Sequence, residues 1–125
     1  MIRLTFAAAI LVVTVCIAAT ARADDTLDRM NASLQHRFTY DPAYRWADGI
    51  HADHITGNCT SYAFAAAREA RAAGYDAQVW QVEDERGEQH AVALVGQWVL
   101  DNRFWQAKTR AWLERRGYRF EMRVL

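Results

Sequence analysis

GNCTSYAFAAAREARAAG, residues 57–74, decides how the chain is read. A glycine-led loop gives way at Asn58 to a helical pattern. Ala63, Ala66, Ala67, Ala70 and Ala73 with Phe64 form a small apolar face, Arg68, Glu69 and Arg71 a wet one, and Gly74 a C′ stop. So many alanines allow a second layer to come close. Cys59 stands where the loop becomes the helix, so its thiol meets unpaired N–H groups and the positive end of the helix dipole, which favour thiolate.

Upstream, Arg3 precedes an apolar run from Leu4 to Ala21, and Ala21-Arg22-Ala23 fits a signal peptidase site. Residues 1–23 read as a signal peptide cut before Asp24, with a periplasmic or secreted product; the competing reading is an uncleaved membrane anchor. Cys16 lies inside this segment after Val15, a poor match to a lipoprotein signal. Removal leaves 102 of the 125 residues, enough for a single domain over 24–125. That domain carries 13 basic and 15 acidic side chains, a balance that argues against nucleic acid and against stable membrane insertion. The basic stretch Arg103–Arg123 reads as a solvated face. Cys59 is then the one thiol left, and an oxidising compartment disfavours an unpaired thiol unless it is used.

Asp24 or Asp25 caps a first helix in which Leu27, Met30 and Leu34 recur, ending near Phe38 before Asp41-Pro42. Residues 41–57 show no period and read as a long ordered loop, with at most a short helical turn. After Gly74 the period becomes two, with strands at Tyr75–Val82, Gln89–Val95 and Trp98–Asn102, a turn over Glu83–Glu88 and a Gly96-Gln97 hairpin. Trp105–Arg116 reads as a helix with Trp105, Trp112 and Leu113 inward, and Tyr118–Val124 as a strand with Tyr118, Phe120, Met122 and Val124 inward. The expected class is α+β: N-terminal helices, the nucleophile helix among them, packed on an antiparallel sheet of about four strands.

If Gly96 and Gln97 form the hairpin loop, paired residues sum to 193, so Val92 faces Asp101 and His90 faces Arg103. His90 and Asp101 become diagonal neighbours on one face, about 7–8 Å apart at the backbone and within reach of each other's side chains. Val92, Leu94 and Val99 share that face. A preceding hairpin centred near Glu85-Arg86 adds Tyr75, Ala77, Val79 and Gln81 to it, and the alanine-rich helix is its expected cover. Trp80 and Trp98 are then expected on the second face with Val82, Val95 and Leu100, as core under the Trp105 helix. Cys59, His90 and Asp101 could thus act as nucleophile, base and orienter, with the Cys59 backbone N–H stabilising an oxyanion and Gln81 or Trp46 as further donors.

This ordered set, GNCTSYA, QHAVALV and WVLDNRF, resembles the transglutaminase-like cysteine peptidases of bacteria, within the papain-like superfamily. NASLQHRFTY, the aspartate and tryptophan of DPAYRW, and HITGNC also follow that layout, so the likeness runs from about Asn31 to Arg103. The resemblance implies a papain/transglutaminase-like fold and a Cys59-His90-Asp101 triad that cleaves amide bonds through an acyl-enzyme, acting on a protein or peptide of the cell envelope. Adhesin-processing members resemble GDCED around the cysteine, where the acids help bind calcium. Asn58, Thr60 and Ser61 stand there in this chain, so no cofactor is expected and the flanks argue against calcium. The chain is also shorter than those proteases, which argues against simple transfer of their substrate.

Other readings use the same residues. A peptidoglycan peptide hydrolase or an acyltransferase shares the first half-reaction, and a binding module could keep the fold without chemistry. His51, Asp53 and His54, completed by Cys59 or His90, have weak metal-ligand spacing. Oligomeric state is not encoded in any pattern found.

Overall fold

The computed structural model of the chain describes residues 25–44 and 48–125; the expected signal peptide at 1–23 lies outside them. The first helix, α1 over residues 25–37, buries Leu27, Asn31 and Leu34 on one stripe and is the helix expected ahead of Cys59. It stops at β1 (Phe38–Tyr40), which pairs in parallel with β2 (Ile55–Gly57) in the register Phe38↔Ile55 to Tyr40↔Gly57. The long loop is therefore pinned at both ends. Short parallel pairing between segments this far apart leaves no periodic trace in sequence.

Helix α2 (Cys59–Ala72) begins where its pattern begins, because the Asn58 side chain accepts hydrogen bonds from the backbone N–H of Thr60 and Ser61 at 3.0 and 3.2 Å. Gly57 fixes how tightly this start is held: a Cβ there would come within 2.1 Å of the Ser61 hydroxyl oxygen. At the far end Gly74 takes a φ of +92°, and the Tyr75 N–H bonds back to the Ala70 carbonyl at 2.9 Å.

The main sheet is antiparallel throughout and has five strands, not four, in the order β6-β5-β4-β3-β7. They are β3 (Ala77–Glu83), β4 (Gln89–Val95), β5 (Trp98–Leu100), β6 (Lys108–Thr109) and β7 (Arg119–Arg123). The extra strand comes from the segment expected to be one long helix from Trp105 to Arg116. Lys108 and Thr109 pair with Val99 and Trp98, and only Arg110–Arg115 is helical, as α3. Thr109 explains the late start: its side chain caps α3 by accepting the Trp112 N–H at 3.1 Å. Trp105, expected inward, is 59 % exposed.

Hairpin β4–β5 has the expected register, with Ala93↔Leu100, Leu94↔Val99 and Val95↔Trp98. Hairpin β3–β4 does not. It pairs Val79 with Ala93 and Trp80 with Val92, one residue away from the expected register, and a one-residue slip exchanges faces. Ala77, Val79, Ala91, Ala93, Val95 and Leu100 thus share a cluster with α1 and α2, with Trp98 packed against it, while Val82, Val92, Leu94 and Val99 join Leu113 and Tyr118 on the α3 side, where Trp80 packs. The alanine-rich helix covers Ala77 and Val79 of β3 as expected, but on β4 and β5 it meets Ala91, Ala93, Val95 and Leu100, where backbones can approach, in place of the expected Val92, Leu94 and Val99. A bulge at Gln81/Val82 then splits β7: Phe120 pairs with Val82 and Met122 with Gln81, so the expected uniform inward row breaks and Met122 is 54 % exposed.

Candidate active site

Cys59 is the first residue of α2, half-buried and without a disulfide, and α2 packs chiefly on β4 and β3. The His90 imidazole, the Ala91 backbone N–H and the Thr60 hydroxyl stand about its thiol and bear on its charge. Burial pushes this thiol up, but the hydrogen bond and charge of His90, with those two donors, bring it below its ordinary value. Alternation along β4 groups His90 with Val92 and away from Ala91. The contact with α2 is nevertheless made, because His90 is the second residue of the strand and the helix start sits against that end.

His90 Nε2 and Asp101 Oδ1 are 2.8 Å apart, and both side chains are almost fully buried. A carboxylate oxygen can only accept, so Nε2 carries the proton of this bond and Nδ1 is left to face the sulfur. Burial alone would lower the imidazole, yet hydrogen bonds and charge from Asp101 and Cys59 raise it to about 9. The two directions both favour thiolate beside imidazolium. Asp101 favours it further: its Oδ2 is buried with no hydrogen bond among the described residues, so the imidazolium is the chief compensation for its charge.

Asp101 follows β5 on a loop that α1 holds in place. Asn31 Nδ2 donates to the Phe104 carbonyl at 2.6 Å and to that of Trp105 at 3.2 Å; Gln35 Nε2 donates to the Asn102 carbonyl at 2.7 Å and to that of Asp101 at 3.2 Å. The Tyr62 hydroxyl donates to Asn31 Oδ1 at 2.6 Å, which ties the loop to α2 as well. From the other side the Arg103 N–H donates to Asp101 Oδ1 at 3.0 Å, and its guanidinium pairs with buried Asp84 at 2.8 Å. Glu88 and Arg86 N–H groups with Arg103 hold the Asp84 carboxyl down at about 2, so this anchor stays charged. The carboxylate next to His90 is thus fixed through three elements.

Of the three residues expected to converge, Cys59 and His90 wall a cleft of about 360 Å³ lined also by Thr60, Phe64, Val79 and Gln81, and Asp101 stands buried behind His90 at 2.8 Å. Gln81 lies in the cleft as an oxyanion donor must, although its Nε2 already donates to Gln89 Oε1 at 2.5 Å. Trp46, the other side-chain donor considered, lies outside the described residues. The Cys59 N–H is one of the first-turn donors of α2, and the Asn58 cap takes those of Thr60 and Ser61 instead. His51 and His54 stack at 4.7 Å between ring centres, His54 Nδ1 meets Asp53 at 3.0 Å, and no group of three such residues is poised for a metal among the described residues.

Sequence reasoning missed Thr60, Asn31, Gln35 and Tyr62. Asn31 did leave a signal, since a polar residue interrupts the Leu27–Leu34 stripe where a helix should be apolar. No protein-family model, no curated protein and no solved structure matches the chain.

Chemically, a thiolate next to a cationic acid can attack a carbonyl carbon and protonate what leaves. The open wall of the cleft gives an extended carbonyl compound access to the sulfur.

Proposed function

We propose that the chain is an exported thiol hydrolase of amide bonds, a transglutaminase-like peptidase on a papain-like fold, acting on a protein or peptide of the cell envelope. One observation carries the reading: Cys59 and the His90 imidazole wall one accessible cleft, and the Nε2 of that imidazole bonds to buried Asp101 at 2.8 Å. The order helix-Cys, strand-His, loop-Asp, on a helix packed against an antiparallel sheet, supports the papain-like assignment. The apolar stretch before Asp24 supports export.

In this mechanism Cys59 Sγ attacks the scissile carbonyl and a C–S bond forms, while the oxyanion turns toward the Cys59 N–H. His90 gives the Nδ1 proton to the departing nitrogen as the C–N bond breaks, which leaves a thioester and a neutral imidazole. Water then attacks the thioester, His90 takes its proton, and the C–S bond breaks to release the acid and the thiolate. Asp101 holds Nε2–H throughout and stabilises each imidazolium. No cofactor enters these steps.

The test is a thiol-directed probe applied at neutral pH, followed by comparison of envelope proteins and wall fragments from cells with wild-type or Cys59→Ala protein. Rapid labelling of Cys59, lost in His90→Ala, with a peptide pattern that changes in Cys59→Ala, is expected. Labelling at the rate of a free thiol, with unchanged peptides, would favour a binding module; changed wall fragments alone would favour a peptidoglycan hydrolase.

A further inference from the structure

The cleft at Cys59 does not end there. Thr60, Phe64, Arg68 and Arg71 recur at helical spacing along the exposed stripe of α2, and Phe64 is a wall of two cavities at once. The first, of about 360 Å³, holds Cys59 and His90; the second, of about 290 Å³, is lined by Phe64, Arg68, Arg71, Ile50 and Leu125. Opposite the helix, Val79 and Met122 wall the first, with Val124 beside Leu125 continuing into the second. The result is a groove with three zones: the thiol and imidazole, an apolar middle, and a cationic end.

The cationic end lacks an internal counterion. No carboxylate among the described residues forms an ion pair with Arg68 or Arg71; Arg86, Arg115 and Arg123 share that lack, but of these five only Arg68 and Arg71 line the groove. Arg71 is anchored through Nε to the Ala77 carbonyl at 2.9 Å, which fixes its stem at the groove. Two guanidiniums beyond an apolar channel suit an anionic group on a ligand that lies along it.

We propose, building on the peptidase reading, that Arg68 and Arg71 select the substrate: a peptide whose apolar side chain fills the Phe64–Val79–Met122 zone and whose acidic residue reaches the two arginines. Spacing sets the distance between them. Nine to twelve residues of helix separate Cys59 from Arg68 and Arg71, roughly 14–18 Å along the axis, which an extended peptide covers in about four or five residues. The acidic side chain therefore stands about four or five positions from the scissile bond, with apolar residues between.

The experiment separates groove from chemistry by using the full chain in two forms. Fluorescein-labelled decapeptides carry a fixed Leu at the third position and a Glu stepped through the six positions that follow it, each with a Gln counterpart. Binding is read by anisotropy on Cys59→Ala protein, and cleavage by chromatography on the wild type. About five- to tenfold tighter binding of the Glu peptide is expected at the fourth or fifth position, falling with added salt. Arg68→Glu should abolish that preference; it leaves the Arg71–Ala77 bond intact, so a folding defect cannot account for it, and the Arg68→Gln/Arg71→Gln pair should behave the same way.

Cleavage without a Glu preference in binding would overturn this proposal and leave the peptidase reading standing. A Glu preference without cleavage of any peptide would overturn the peptidase reading and leave the groove. Neither binding preference nor cleavage would overturn both.

Discussion

The two faces of the main sheet are built on opposite plans. On one, fully buried Ala63, Ala66, Ala67 and Ala70 of α2 meet Ala77, Val79, Ala91 and Ala93, small side chain against small side chain. On the other, a six-residue helix stands off on rings: Trp80 and Phe120 lie 6.0 Å apart, Phe104 and Trp112 5.7 Å, and Lys108, Arg110 and Arg116 cover them at 4.8, 4.4 and 4.6 Å. Small residues let a helix backbone come near, so the first face brings the N-terminus of α2, with Cys59 and its backbone N–H, against the start of β4. Large rings keep α3 away, and that face supplies no side chain of α3 to the site. Close packing places chemistry here; the aromatic face supplies bulk.

The difference can be broken at several points. The largest effect is expected from Asp101→Asn, which removes the charge behind His90 and inverts the donor it meets; Cys59 alkylation at neutral pH should fall on the order of 10³-fold. A loss under tenfold would separate the carboxylate from the site's chemistry. Next comes Asn31→Ala, which strips donors from the Phe104 and Trp105 carbonyls and leaves the buried Tyr62 hydroxyl only the backbone carbonyl of residue 31, at 3.1 Å, as acceptor. Thermal or urea unfolding should show a loss of about 2–4 kcal/mol.

Ala66→Leu tests the close face itself: with no space beside it, overpacking should cost about 1–3 kcal/mol and slow the labelling of Cys59 as α2 is pushed off the sheet. Arg110→Gln is the counterpart on the other face. It removes cations from the Trp80 and Phe120 rings and should cost under about 1 kcal/mol, with labelling unchanged. Equal effects of these two variants on labelling would erase the distinction between the faces.

How far the chain could be read in advance follows the same division. Local signals carried α2, because Asn58, the alanine period and Gly74 mark both ends within one segment. They also carried the β4–β5 register, since a two-residue Gly96-Gln97 loop leaves no freedom, and with it the meeting of His90 and Asp101. The turn after β3 is longer, and its length left the β3–β4 register uncertain by one residue; that slip was enough to exchange the β4 and β5 residues that lie under α2. Strand β6 and the shortened α3 depend on pairing with β5, and β1 depends on β2 far along the chain, so neither shows in a local period. Asn31 and Gln35 act on carbonyls some seventy residues away, and backbone acceptors leave no trace in side-chain pattern.

The central claim is that His90, backed by Asp101, holds Cys59 as thiolate. Its most direct measurement is the rate of iodoacetamide alkylation of Cys59 against pH, read by peptide-mapped mass spectrometry so that Cys16 is counted apart. A lowered thiol and an imidazole raised to about 9 predict a rate that has already risen below the ordinary thiol range near 8.5, followed by a second inflection near 9 as the imidazolium deprotonates. In His90→Ala the first inflection should move up and the second vanish. A single inflection near 8.5, identical in both proteins, would contradict the account.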